Sequence, residues 1–251
     1  MILKLIYRSI FGSKVNRYES IHTILSIIAI KVGYRMGNKN LYWHKDKQAL
    51  DAYLGLPNPE NKKKSVPERK YVLYSIAKSV KNIEGDIAEC GVSKGHSSYL
   101  MLHANRDNNK TFYGFDSFEG LSEPAEKDKI ENDYSFKWKK NDLSTPIDVA
   151  KNNLISFDER YELLKGWIPS RFEEIKDKRF SLVHVDVDLY QPTFDSIEFF
   201  WNRINKGGCL VCDDYGFETC PGAYRAMNEF FDSQEISIIH LTTGQGVIFK
   251  Q

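Results

Sequence analysis

The chain has 251 residues and a mass of 29.1 kDa, room for one sizeable α/β domain with an appendage and too long for a short disulfide scaffold. Hydrophobic residues at 41% and aromatic residues at 13% exclude a wholly disordered chain. Thirty-five Lys and Arg against thirty-four Asp and Glu give a formal charge of +1, which leaves no electrostatic excess to hold a polyanion and argues against nucleic acid as the main partner.

Residues 1–60 read as a helical extension. The apolar opening, residues 1–7, is soon interrupted by Arg8 and Lys14, and no small-residue cleavage site follows, so a cleaved signal peptide is not expected. A second apolar stretch, residues 24–30, ends at Lys31, short of the roughly 20 residues that span a bilayer. The expectation is a cytoplasmic protein without a transmembrane segment. Lys4, Arg8, Lys14 and Arg17 among apolar positions admit an interfacial helix resting on anionic lipid. The alternative is a helix packed on its own domain or on a partner subunit, and a homo-oligomer is expected. Residues 57–64 are polar, turn-forming and charged, and mark a boundary that leaves 61–251 as the main domain.

From Tyr71 the pattern is regular. It predicts a helix over 71–80, a strand over 86–90, glycines at 91 and 95, a helix over 97–104 and a strand over 111–116. A long polar loop, 122–146, precedes a helix over 147–156, a strand over 161–165 and a short helix over 171–175. Then come a strand over 180–187, a helix over 192–203, a strand through Val211, a helix over 222–231 and a closing antiparallel pair, 236–241 with 246–250. Strands alternating with helices predict a mostly parallel sheet covered on both faces, with ligands at the carboxyl ends of the strands. Cys90, Cys209, Cys212 and Cys220 read as reduced. Cys209 and Cys212 have the C-x-x-C spacing but sit in a strand, where residues three apart face opposite ways, so they read as packing residues.

Two segments carry chemistry. Glu89-Cys90-Gly91-Val92-Ser93-Lys94-Gly95-His96-Ser97-Ser98 follows a strand and opens a helix, so its glycines admit a ligand close to the backbone and the helix start offers free N–H groups. Asp116 ends the next strand, where a carboxylate can accept hydrogen bonds from both hydroxyls of a ribose; together they fit a nucleoside ligand with a charged tail. The second segment is His184-Val185-Asp186-Val187-Asp188-Leu189-Tyr190, at the end of one strand, with Asp213-Asp214-Tyr215-Gly216 at the end of the next. Four converging carboxylates repel one another unless something positive lies between them. All-oxygen ligation points to magnesium, manganese or calcium rather than zinc. Asp213 and Asp214 can share one ion only if the strand has ended before them, which Tyr215-Gly216 permits. His184 reads as a hydrogen-bonded core histidine, with proton transfer as the alternative, and Arg225 as a partner for the acidic cluster or a solvated helix residue. The 122–146 loop, with Tyr134, Phe136 and Trp138, is a candidate lid over a sugar, a disordered connector being the alternative.

Taken together, Gly85-Asp86-Ile87-Ala88-Glu89-Cys90-Gly91-Val92, Phe115-Asp116-Ser117-Phe118-Glu119-Gly120-Leu121, Leu164-Lys165-Gly166-Trp167, Asp186-Val187-Asp188-Leu189-Tyr190 with Thr193, and Gly207-Gly208 running into Asp213-Asp214-Tyr215 resemble the macrocin O-methyltransferase family. The likeness covers residues 80–232. This chain has Val187 where the family usually has glycine, and Ser93-Lys94 keeps only the basic half of an aromatic-basic pair in the cofactor loop.

The resemblance implies a Rossmann-like class I methyltransferase fold, a mostly parallel seven-stranded sheet with a closing antiparallel strand. It further implies a cation-dependent enzyme that methylates a sugar hydroxyl from S-adenosylmethionine, with Mg2+ or another divalent cation such as Mn2+ and a small-molecule or glycan substrate. Glu89, Gly91 and Ser97 would line the methionine end of the donor, Asp116 would hold its ribose, and Ser117 and Phe118 would lie near the adenine with Asp142 and Trp167. Asp186, Asp213 and Asp214 would bind the metal, and Asp186, or else Asp188, would take the substrate proton. A glycosyltransferase using Asp186-Val187-Asp188 as a D-x-D motif and a non-catalytic scaffold of the same fold are the rival readings.

Overall fold

The computed structural model describes residues 2–34, 36–37, 41–57, 66–130 and 137–251. The chain divides into two compact units, 1–47 and 48–251. In the first, α1 (Ile2–Phe11) and α2 (Lys14–Lys31) form a hairpin. Ser13 accepts the Asn16 N–H at the start of α2, and Arg8 donates to Asn16 Oδ1 at 2.7 Å, which ties the two helices across their turn. Among the described residues no helix is long and apolar enough to cross a membrane.

The second unit begins before the boundary expected near residue 60. Most of the predicted linker lies outside the described residues, but Ala49, Ala52, Tyr53 and Leu56, in and after α3 (Lys47–Leu54), are buried with Leu73 and Tyr74 of α4 (Glu68–Ser79). Apolar burial, invisible in the linear charge pattern, is what attaches these residues to the larger unit.

The sheet of this unit has seven strands: β1 (Asp86–Cys90), β2 (Phe112–Asp116), β3 (Tyr161–Lys165), β4 (Phe180–Val185), β5 (Ile204–Cys212), β6 (Ile239–His240) and β7 (Gly246–Phe249). Their order is β3-β2-β1-β4-β5-β7-β6. The first five pair in parallel, and β7 enters antiparallel between β5 and β6. Central β4 is buried along its whole length, and four of its six residues are apolar, the buried Ser181 and His184 being the exceptions. One face of the sheet packs with α3, α4, α5 (His96–Ala104) and α6 (Ile147–Leu154), and the other with α7 (Tyr190–Trp201) and α8 (Pro221–Asp232). Cys209 belongs to the first core and Cys212 to the second, both buried and unbridged, as residues three apart on a strand must be.

Several ends differ from the sequence pattern, among them α4, which starts at Glu68 rather than 71, and β6, which is only Ile239–His240 rather than 236–241. β4 stops at Val185 rather than 187, and α7 starts at Tyr190 rather than 192. The cause of the α7 start is Asp128, whose Oδ1 accepts the Tyr190 N–H at 2.7 Å from 62 positions upstream, a cap that no local signal announces. The strand order reverses between β1 and β4, and the crevice outside their carboxyl ends is where a ligand site is expected in such a sheet.

Candidate active site

At the end of β1 the chain is pinned to both neighbouring strands. Gly91 donates its N–H to Phe115 O and Asp186 donates its N–H to Cys90 O, each at 2.8 Å. Gly91 has φ 92°, and a Cβ there would overlap the Asp186 carbonyl oxygen, so the position admits glycine alone. The chain then turns through Ser93 (φ 48°) and Gly95 (φ 76°) into α5, which brings Ser97 to the cavity wall. Asp116, ending β2, reaches back to this turn: its Oδ2 accepts the Ser93 N–H at 2.8 Å and its Oδ1 the Phe118 N–H at 2.6 Å. Burial raises the pKa of Asp116, and these N–H groups oppose the rise.

Glu89 lies beneath the turn. It is fully buried, accepts the Ser98 hydroxyl and pairs with His184 Nδ1 at 2.9 Å. His184 Nε2 in turn lies 3.5 Å from Asp213 Oδ1, an ion-pair distance, and has no hydrogen-bond partner among the described residues. Burial lowers the His184 pKa, but the adjacent Asp213 and Glu89 carboxylates outweigh it and carry the pKa up to about 10.

The acidic residues gather because two parallel strands end side by side. β5 finishes at Cys212, so Asp213 and Asp214 lie in the turn beyond it, where both can face β4. Asp213 N–H donates to Val185 O at 2.8 Å, and Asp214 Oδ2 accepts the Asp188 N–H at 3.2 Å. His184, Asp186 and Asp213 each offer a ligand atom within 4.8 Å of one another, as do Asp188, Asp214 and Cys220. Burial raises Asp213, but His184 and Arg69 outweigh it and hold the carboxyl down to about 2. Burial, together with the neighbouring carboxylates, pushes Asp188 and Asp214 up to about 7 and Asp186 well above the usual carboxylate range.

The cation beside this group is Arg69, near the start of α4. Its guanidinium pairs with Asp213 Oδ2, reaches Asp214 Oδ1 at 3.5 Å, donates to Asp213 O at 2.9 Å and lies 4.4 Å over the Phe217 ring. Fully buried Gln245, between β6 and β7, donates to Asp213 Oδ1 at 2.7 Å and to Arg69 O at 3.3 Å. Neither residue is legible in the sequence as part of the site, for Arg69 reaches it across 144 positions and Gln245 from the turn into β7, which pairs with β5. Arg225 instead donates to Lys127 O at 2.7 Å.

A cavity of about 880 Å3 joins these parts, within the range of small-molecule sites. Gly91, Ser97, Asp116, Ser117, Trp167, Asp186, Asp188, Asp213 and Asp214 line it, all singled out from the sequence, with Leu121, Leu143 and Ile168 as apolar wall. Glu89, Phe118 and Asp142 are not in the lining. Phe118 is buried with Val92 and Ala150, and Asp142 Oδ2 accepts the Lys139 N–H at 2.8 Å. Of the candidate lid, Tyr134 and Phe136 lie outside the described residues. Its described part is docked: Asp128 caps α7, and Trp138 Nε1 donates to Thr219 O at 2.7 Å.

The residues fit a hard divalent cation. Asp186 and Asp213 offer carboxylate oxygens beside His184, and Asp188 and Asp214 offer them beside Cys220, so the oxygen donors suit such an ion although Asp214 falls in a different group from the other two expected ligands. They also fit a nucleoside donor, since a carboxylate at the end of β2 and an apolar wall with Trp167 share the same cavity.

The sequence profile described as macrocin-O-methyltransferase matches residues 68–250. A curated relative from Streptomyces olivaceus, an 8-demethyl-8-(2,3-dimethoxy-alpha-L-rhamnosyl)-tetracenomycin-C 4'-O-methyltransferase, is 28% identical over 148 residues, 56% of this chain and 57% of the relative. A demethyldecarbamoylnovobiocin O-methyltransferase from Streptomyces niveus is 26% identical over 177 residues, 68% of this chain and 67% of the relative. The match thus spans little more than half the length of the first relative. Among solved structures, a calicheamicin methyltransferase is similar with a TM-score of 0.60 at 19% identity, over 72% of this chain and 77% of that one. The O-methyltransferase NovP is similar with a TM-score of 0.58 at 21% identity, over 92% and 99%. At these identities the structural likeness is one of fold, the Rossmann-like α/β fold of methyltransferases.

Proposed function

Because this chain belongs to the macrocin O-methyltransferase family, whose profile covers most of it, we propose that it is a divalent-cation-dependent enzyme that moves a methyl group from S-adenosylmethionine to a sugar hydroxyl of a glycoside or surface polysaccharide precursor. The observation that carries this reading is one cavity lined by Asp116 together with Asp186, Asp213 and Asp214.

The donor supplies a methyl on a sulfonium, and the cation a charge that makes a sugar hydroxyl more acidic. Around them the chain's own residues divide the work. Asp116 keeps lone pairs beyond those engaged by Ser93 and Phe118, and accepts the ribose hydroxyls. Trp167, Leu121 and Leu143 cover the adenine beside Ser117, and Gly91 and Ser97 flank the path to the acidic end. Asp186, Asp213 and Asp214 hold the cation, with Arg69 and Gln245 fixing the Asp213 carboxylate. Asp186 accepts the hydroxyl proton as attack proceeds, and Asp188, on the same wall, is the second candidate. Glu89 acts from beneath as a positioning residue, through Ser98 and His184. Much of the acceleration comes from holding oxygen, carbon and sulfur in line.

The test is incubation with methyl-labelled donor, magnesium and a panel of glycosides and nucleotide sugars, read by mass spectrometry. A gain of one methyl that stops on chelation and returns with magnesium supports the reading. Retention of a nucleotide sugar without any donor binding overturns it.

A further inference from the structure

The leading hairpin leaves its apolar side chains in water. In α1, Leu3, Ile6, Tyr7, Ile10 and Phe11 recur at spacings of three and four, the period that aligns one helix face, and are 43–83% exposed. In α2, Tyr18, Ile21, Leu25 and Ile28 repeat the pattern at 47–56%. No residue of α1 is buried, and only Ser20 of α2. Two continuous apolar rows of this length exceed the scattered hydrophobics of an ordinary surface.

The charge around the rows names the partner. Residues 1–47 hold nine Lys and Arg against two Asp and Glu, whereas the remainder of the chain holds 26 against 32. Lys4, Lys14, Arg17 and Lys31 are exposed on the hairpin itself. A symmetric contact between two copies would set this basic patch against its own copy. A phospholipid surface that carries anionic headgroups over an apolar interior accepts both the rows and the cations.

We propose that the hairpin, with amphipathic α1 and the exposed apolar row of α2, is an anchor that lies on an anionic phospholipid surface, the apolar rows at the acyl boundary and the lysines and arginines among the headgroups. The assignment stands on the hairpin alone and does not depend on the methyl-transfer reading.

Flotation of the full chain with vesicles tests it, using phosphatidylcholine alone and phosphatidylcholine mixed with phosphatidylglycerol, at low and high salt. The expected result is flotation with the anionic vesicles only, lost as salt rises. Lys4→Gln and Lys14→Gln each weaken vesicle affinity about fivefold, the effect of one cation at such a surface. The double variant Leu3→Ser with Phe11→Ser abolishes flotation while the unfolding midpoint of the chain stays in place. Equal flotation with neutral vesicles, or none with anionic ones, overturns the proposal. A dimer in sedimentation that dissociates in the double variant, without vesicle binding by the parent, overturns it in favour of a second copy.

Discussion

Gly91 and Asp186 meet at the carboxyl ends of two neighbouring strands, so closely that a Cβ on the first would overlap the carbonyl oxygen of the second. The glycine turn after β1 and the acidic motif after β4 are therefore held against each other, joined also by the bond from Asp186 N–H to Cys90 O. Gly91→Ala carries both the strain of a positive φ and this overlap, and an expected loss of about 2 to 4 kcal/mol in urea unfolding. Gly95→Ala, with φ 76° but nearest neighbours at ordinary contact distance, loses about 1 kcal/mol.

Asp116 holds the turn and the proposed ribose with one carboxylate. Asp116→Asn weakens binding of S-adenosylhomocysteine by about tenfold to a hundredfold, the value of hydrogen bonds to a charged acceptor. Asp116→Ala loses as much affinity and strands both the Ser93 and Phe118 N–H groups, whereas the asparagine keeps an acceptor for one of them and turns its NH2 toward the other, so both variants lose stability and the alanine loses more. Calorimetric titration and thermal unfolding separate the two effects.

Glu89 and His184 form a pair with no exposure to solvent. Removing one partner of such a pair leaves the other uncompensated, and Glu89→Ala costs about 3 to 5 kcal/mol. Glu89→Gln retains acceptors and donors toward Ser98 and His184 and costs less. Denaturant midpoints of the two variants, compared at one pH, check the order.

Arg69 supplies positive charge to Asp213 and Asp214 without being one of the proposed ligands. Arg69→Met removes that charge from an excess of carboxylates, so Mn2+ binds about tenfold more tightly by electron paramagnetic titration. Turnover falls, because Asp213 loses one of the groups that orient it, alongside Gln245 and His184. Unchanged metal affinity in a folded Arg69→Met protein contradicts the electrostatic account.

Lys110 is half-buried, donating to Ser181 Oγ at 2.6 Å and to Ile83 O, and burial lowers its pKa from 10.5 to about 8. The folded state thus binds fewer protons than the unfolded state between pH 8 and 10.5, and stability rises with pH across that window. Below pH 8 the penalty is constant. Relative to Lys110→Met, the parent gains stability from pH 8 to 10 in paired denaturation curves.

Residue types alone located the two chemical segments because their meaning is local. Glycines at 91 and 95 are needed where a strand turns sharply into a helix, and adjacent aspartates after an apolar run mark a strand end. Glu89, expected from the sequence to line the donor site, is instead buried outside the cavity lining, since a charged residue mid-strand gives no sign of the histidine that will meet it from the neighbouring strand. Asp128 as the cap of α7 and Arg69 as the partner of Asp213 left no local trace at all, being contacts across 62 and 144 positions.

The sequence by itself determined the alternation of strands and helices, the parallel sheet with its closing antiparallel pair, and the basic, apolar character of the first helices, because periodicity and charge are properties of neighbours along the chain. Only the tertiary structure decided that β7 lies between β5 and β6, that residues 48–57 belong to the larger unit, and which cation stands among the aspartates. Those outcomes depend on which surfaces meet in three dimensions, where apolar burial and the pairing of buried charge outweigh separation in sequence.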